Sequence, residues 1–214
     1  MMYKDTNGSS TAKITLLDFL NQIPSIFWVA GLPFLVVFAA STPVNQAGWL
    51  DPFVYAAYVN DFASTSVRFG QTYYSSRIAY ILPDSIFQRA FGAEFGYLLI
   101  RALFLALATG SVFAIAHRFY GRLVAILVAC WVCLLPWLPR ALYWTHYDGF
   151  AVTYLLIAIA LLTVPTRYRL AAHFGAGLFW MMAINCQIYL LAVGGLFLAS
   201  WAILNSRETV GWFV

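Results

Sequence analysis

The chain has 214 residues, of which 63% are hydrophobic, 18% aromatic and only 9% charged. Because soluble domains carry about a quarter charged residues, this composition argues against a soluble fold and predicts an all-α integral membrane protein. The formal net charge of +4 is small and its basic residues are scattered. Without a basic stripe, the chain is not expected to bind nucleic acid.

A charge-free segment over residues 23–41, IPSIFWVAGLPFLVVFAAS, predicts the first transmembrane span. Its length is close to the roughly 20 residues that cross a bilayer core. A cleaved signal peptide is the alternative. The long polar stretch before the segment and the lack of a clear Ala-x-Ala site favour an uncleaved anchor behind a cytoplasmic leader at 1–22.

Residues 42–96 form the only long polar stretch and predict a large extracytoplasmic loop that carries interfacial helices. Asp51 as N-cap and Pro52 at the first helical position predict a helix over 52–62. Aromatic side chains recur along the loop and are expected to lie at the level of the lipid headgroups. They are Tyr55, Tyr58, Phe62, Tyr73, Tyr74 and Tyr80.

Further apolar runs predict spans at 97–116, 123–138 and 149–164. The last run, 170–204, would be roughly 52 Å long as one helix, so it is divided at Asn185–Gln187 into spans at 170–184 and 188–204. The fold class is therefore about six transmembrane helices with a large first loop. Residues 205–214 are expected to be a cytoplasmic tail or the start of a further span.

The distribution of charge predicts the orientation. Basic residues of the leader and of the loops near 118–122 and 165–169 would share one compartment, which the positive-inside rule makes cytoplasmic. The opposite side holds four arginines, so the bias is moderate. Five of the eight acidic residues fall on the extracytoplasmic side, which favours chemistry there: Asp51, Asp61, Asp84, Glu94 and Asp148.

The order of several segments resembles the GT-C membrane glycosyltransferases, which include protein O-mannosyltransferases and lipid A aminoarabinose transferases. An acidic residue precedes a tyrosine in GWLDPFVYAAY, a basic residue precedes a proline in YYSSRIAYILP, and FGAEFGYLLIRALFLALATG opens the second span. HRFYGRLVAILVAC follows, and a second acidic residue lies in WTHYDGFAVTYLL. The resemblance covers roughly residues 23–200, and it is the order of the motifs that is specific.

This resemblance implies sugar transfer from a polyprenyl-phosphate donor to an unidentified extracytoplasmic acceptor, in a multi-pass protein of the bacterial inner (plasma) membrane. Membrane lipids are the other expected partners. Asp51, as general base, and Asp148 would be the catalytic residues. Side chains of the same motifs would bind substrate, with the two arginines on phosphate: Tyr55, Arg77, Glu94, Arg101 and His146.

Two features depart from the family pattern. Pro52 stands beside Asp51 where many relatives carry a second acidic residue, which weakens metal binding, so no cofactor or metal is predicted. Relatives are also longer, which suggests that the chain is an N-terminal fragment. Cys130, Cys133 and Cys186 lie in or beside apolar runs and are interpreted as inert thiols.

Four of the site residues also have a structural interpretation. Asp51 and Asp148 would cap helices, Arg77 would extend to headgroups, and Arg101 would pair with Glu94 or Asp148. The alternative function is a non-catalytic polytopic protein, such as a transporter or an assembly subunit. Ionisable residues clustered at one interface, without visible repeated halves, favour the enzyme.

Overall fold

The computed structural model describes residues 24–40, 51–70, 72–143, 147–163, 168–196 and Ser200, without the side chains of residues 40, 51 and 52. Within these ranges the regular structure is helical and contains no strand, as the all-α expectation required. The predicted leader, the start of the first loop, His146 and residues 201–214 lie outside the described part.

A wide π-type turn over Phe27–Gly31 continues into helix α1, Leu32–Ala40. Three helices follow in the predicted loop: α2, Asp51–Asn60; α3, Phe62–Phe69; and α4, Ile78–Phe91. The helix predicted over 52–62 ends early because Asp61 begins a new one. The Asp61 carboxylate accepts a hydrogen bond from the Ser64 backbone N–H at 3.1 Å and so caps α3.

Helix α5, Ala93–Leu134, contains the predicted span 97–116 and most of the predicted span 123–138, which the structure ends at Leu134. Gly121 interrupts it with φ of 80° and ψ of 176°, a backbone conformation that glycine adopts without strain. An apolar cleft of about 310 Å³ is lined by residues on both sides of this break. The cleft residues include Val112 and Ala116 before Gly121, and Val124 and Val128 after it.

Helices α6, Trp137–Tyr143; α7, Asp148–Thr163; and α8, Arg169–Cys186 complete the named elements, and residues 190–196 are again helical. Helix α5 is central, since α1, α4, α6 and α7 all pack on it, while α8 packs on α7. Helices α4 and α5 approach closely at Gly96, where a Cβ would lie 2.3 Å from the Phe87 carbonyl oxygen.

The tyrosines of the first loop do not all lie where the sequence suggested. Tyr55, Tyr58 and Tyr80 are fully buried in the protein core, so the expectation that their rings lie on a surface facing the headgroups is wrong. Tyr73 is exposed as expected. The rings of the buried tyrosines pack against residues of other helices. The sequence pattern of a single helix does not reveal such contacts.

By length and composition, α5 is the one described helix able to cross a membrane alone. Helices α6 and α7 pass the same test as a pair bent by 120°. The apolar segment Phe27–Ala39 is shorter. Many large apolar side chains of the described residues face outwards, among them Leu107, Leu127 and Trp131 on α5.

Candidate functional site

Arg77 lies at the N-terminal end of α4 and is only 2% exposed. Its guanidinium carbon lies 4.0 Å from the centre of the Tyr73 ring and 3.6 Å from that of Tyr147, so two aromatic faces hold the cation. The hydroxyls of these tyrosines are hydrogen-bonded to each other at 3.1 Å. Among the described residues, the buried Nε of Arg77 has no hydrogen-bond acceptor, and no carboxylate forms a salt bridge with the guanidinium.

Tyr55 joins this site to helix α2. Its ring makes edge-to-face contacts with Tyr74, Tyr80 and Tyr147, with centroids 5.2 to 5.4 Å apart. Asp51 begins the same helix, one turn before Tyr55. The structure therefore places Tyr55 of α2 beside the Tyr147 ring that covers Arg77, while the Asp51 side chain is outside the described part.

Asp148 lies in the first turn of α7, directly after Tyr147, where a carboxylate interacts favourably with the helix dipole. The buried Gln187 donates a hydrogen bond from Nε2 to Oδ1 of Asp148. The charges of Asp148 and Arg77 both act on Cys186 and on Tyr189, so the four residues lie in the same region of the protein. Asp148 therefore lies in the same region as Arg77, but no salt bridge joins the two residues.

The start of α4 is attached to two later helices. Pro83 has no N–H with which to satisfy the Ala79 carbonyl one turn earlier, and the Tyr154 hydroxyl donates to that oxygen at 2.9 Å. Asn185 accepts from the Ala79 N–H at 2.8 Å and donates to the Ser76 carbonyl at 2.9 Å. Helices α7 and α8 therefore fix the backbone around Arg77.

Arg101 is fully buried and makes an ion pair with Asp84 of α4. Nη1 and Nη2 donate to the two carboxylate oxygens at 2.5 and 2.7 Å, and Nε donates to the Leu142 carbonyl at 3.3 Å. The Tyr97 ring lies 3.8 Å from the guanidinium carbon. The partner of Arg101 is thus Asp84 rather than Glu94 or Asp148, and phosphate binding by Arg101 stays a prediction.

Tyr80 takes part in the same cluster, since Nη2 of Arg101 donates to its hydroxyl at 3.3 Å. Burial raises the pKa of Tyr80 well above its ordinary value, and the negative charge of Asp84 raises it further. The hydroxyl therefore stays neutral over the physiological pH range.

Two further predicted site residues are Glu94 and His146. Glu94 is exposed in the first turn of α5, and His146 lies outside the described residues. No group of three or more potential metal ligands occurs among the residues searched, which are those that the structure describes. Two apolar clefts of about 610 and 650 Å³ between the later helices are lined by neither Arg77 nor Asp148.

Sequence reasoning missed several residues that shape the site. Asn185 and Gln187 were interpreted as a break between spans, and Asp84 was not selected. The signal for Asn185 and Gln187 was the pair of polar side chains inside an apolar run. The contact from Tyr154 could be anticipated from Pro83, because a proline inside a helix leaves a backbone carbonyl that another group must satisfy.

Comparison with known proteins yields no relative: no protein-family model, no curated protein and no solved structure matches this chain.

Proposed function

We propose that the chain is a multi-span membrane protein of GT-C-like architecture that transfers a sugar from a polyprenyl-phosphate donor to an extracytoplasmic acceptor. The single observation that carries the proposal is Arg77, a buried cation without an anionic partner in the described part of the chain. A buried charge is costly unless it is paired. A phosphate would supply the missing partner.

The membrane part of the proposal is supported by the surface. Large apolar side chains are exposed on several helices, including Leu107 and Trp131 on α5 and Phe174 and Met181 on α8. Extended apolar surface of this kind marks contact with lipid or with another protein. The bounds of α7 and α8 are also close to the predicted spans 149–164 and 170–184.

The proposed reaction needs few groups. The acceptor oxygen bonds to the anomeric carbon as the bond from that carbon to the phosphate oxygen breaks, and the polyprenyl phosphate leaves with the electron pair. Asp51 takes the acceptor proton, while Arg77 stabilises the departing phosphate. Asp148 is the second carboxylate of the site. Arginine suits this role because it stays charged and binds phosphate through two N–H groups.

Binding of farnesyl monophosphate to the detergent-solubilised protein tests the phosphate site. We expect Arg77→Ala to weaken binding by about tenfold to a hundredfold, the range for a lost hydrogen bond to a charged group. Isothermal titration calorimetry measures the affinity of each protein for farnesyl monophosphate. Arg89→Ala is the matched control, because Arg89 lies on the same helix but is exposed, and farnesol controls for the prenyl chain.

Equal affinity of the parent and Arg77→Ala for farnesyl monophosphate would remove the basis of the proposal. If the parent binds this ligand but moves no sugar from a polyprenyl-phosphate sugar in vesicles, the non-catalytic alternative replaces the transferase.

Orientation is tested by chemical labelling. Ser64 is exposed in α3, and a cysteine there, in a background without native cysteines, should react with a membrane-impermeant maleimide in intact cells. A cysteine in place of the exposed Arg118 should react only after the cells are opened. The reverse pattern would show that the first loop faces the cytoplasm.

A further inference from the structure

The segment Asn185-Cys186-Gln187 touches the starts of two helices that carry the opposite charges of the site. Asn185 hydrogen-bonds to Ala79 and Ser76, the backbone on either side of Arg77. Gln187 donates to Asp148 in the first turn of α7. Both contacts join parts of the chain that are far apart in sequence.

Asn185 supplies a cap that α4 lacks in its own sequence. The N-cap position is Arg77, whose side chain makes no capping hydrogen bond, and the first N–H groups of a helix have no intrahelical acceptor. The Asn185 Oδ1 accepts from the Ala79 N–H at 2.8 Å. Because its amide also donates to Ser76, Asn185 holds both sides of the turn that presents Arg77.

Gln187 forms a hydrogen bond with the carboxylate of Asp148. An amide N–H is a donor only, so its hydrogen bond to Oδ1 favours the ionised form of Asp148. Gln187 is itself buried, and the fixed amide therefore restricts the direction of the carboxylate as well as its charge.

We propose that Asn185 and Gln187 form a positioning clamp, in which Asn185 places Arg77 for phosphate and Gln187 keeps Asp148 ionised and oriented. The meaning of the clamp for sugar transfer rests on the proposed function. Neither residue contacts substrate in this scheme, so both are positioning residues.

The Asn185 half is tested by farnesyl monophosphate binding. Asn185→Ala should weaken binding by about twofold to tenfold, since hydrogen bonds that hold Arg77 are lost while Arg77 itself remains. Asn185→Asp keeps the acceptor for the Ala79 N–H and should recover part of the affinity. Asn60→Ala, an exposed asparagine at the end of α2, should bind as the parent does.

The Gln187 half is tested by following the titration of Asp148 with difference infrared spectroscopy, using Asp148→Asn to identify its carboxyl band. Gln187→Leu should move the midpoint to higher pH by about one unit, because the donor to the carboxylate is lost. Gln187→Glu should move it further through repulsion between like charges. Gln88→Leu is the control, since Gln88 donates to a different carboxylate, that of Asp84.

An unchanged midpoint in both Gln187 variants, or parent-like phosphate affinity in Asn185→Ala, would overturn the clamp. Failure of the proposed function has a different signature, because the parent itself would not bind farnesyl monophosphate. The Asp148 titration would then decide on the clamp alone.

Discussion

Asp84→Ala is expected to destabilise the protein by about 3–5 kcal/mol, the cost of leaving one member of a buried ion pair without its partner. Arg101 and Asp84 are both 0% exposed and share two hydrogen bonds. Without the carboxylate, the guanidinium keeps the carbonyl of Leu142 and the Tyr80 hydroxyl, which carry no compensating charge. Unfolding of the solubilised protein, followed by tryptophan fluorescence, gives the difference in free energy of unfolding between the parent and the variant.

Two controls separate loss of charge pairing from a general effect of mutation. Asp61→Ala removes an exposed helix cap and should cost only about 1 kcal/mol. The double variant Asp84→Leu with Arg101→Met should be close to the parent, because a buried pair replaced by apolar residues of similar size is often neutral. A stable Asp84→Ala protein would mean that the pair contributes little.

Asp51→Asn is expected to reduce sugar transfer by about a hundredfold to ten-thousandfold, the range for a lost general base. Asparagine caps helices about as well as aspartate but cannot accept the proton. Folding and phosphate affinity should therefore persist while turnover is lost. Transfer from a polyprenyl-phosphate sugar in vesicles, beside calorimetric binding of farnesyl monophosphate, separates these effects.

Asp148→Asn is the matched variant at the other carboxylate. If Asp148→Asn shows the large loss while Asp51→Asn turns over within a fewfold of the parent, the base is Asp148 and Asp51 is only a helix cap. A loss of phosphate binding in Asp51→Asn would instead indicate a structural role for that residue.

The all-α class follows from the sequence more directly than the packing does. Uninterrupted apolar runs predict helices wherever backbone hydrogen bonds must be satisfied within the segment, and the runs at 149–164 and 170–184 lie within one or two residues of α7 and α8. The burial of Tyr55 and Tyr80 was beyond this reasoning, because it depends on which helices pack together.

The candidate site residues stay predictions. Arg77, Tyr55 and Asp148 were selected through the resemblance, and the structure places Arg77 and Asp148 in one neighbourhood and Tyr55 against Tyr147. The groups that hold them were missed, since Gln187 lies 39 residues from Asp148 and Asn185 lies 106 residues from Ala79. Such separations leave no periodic pattern from which a contact could be read.

The pairing of Asp84 with Arg101 has a consequence for biosynthesis. An arginine within a membrane helix opposes insertion, with a cost that reaches about 2.5–3.5 kcal/mol at the helix centre. Asp84 precedes Arg101 by 17 residues, so its carboxylate leaves the ribosome first and is available as the arginine segment reaches the translocon. In a membrane-inserted chain, the Asp84 carboxylate would therefore neutralise Arg101 as α5 enters, before the helices that complete the site are synthesised.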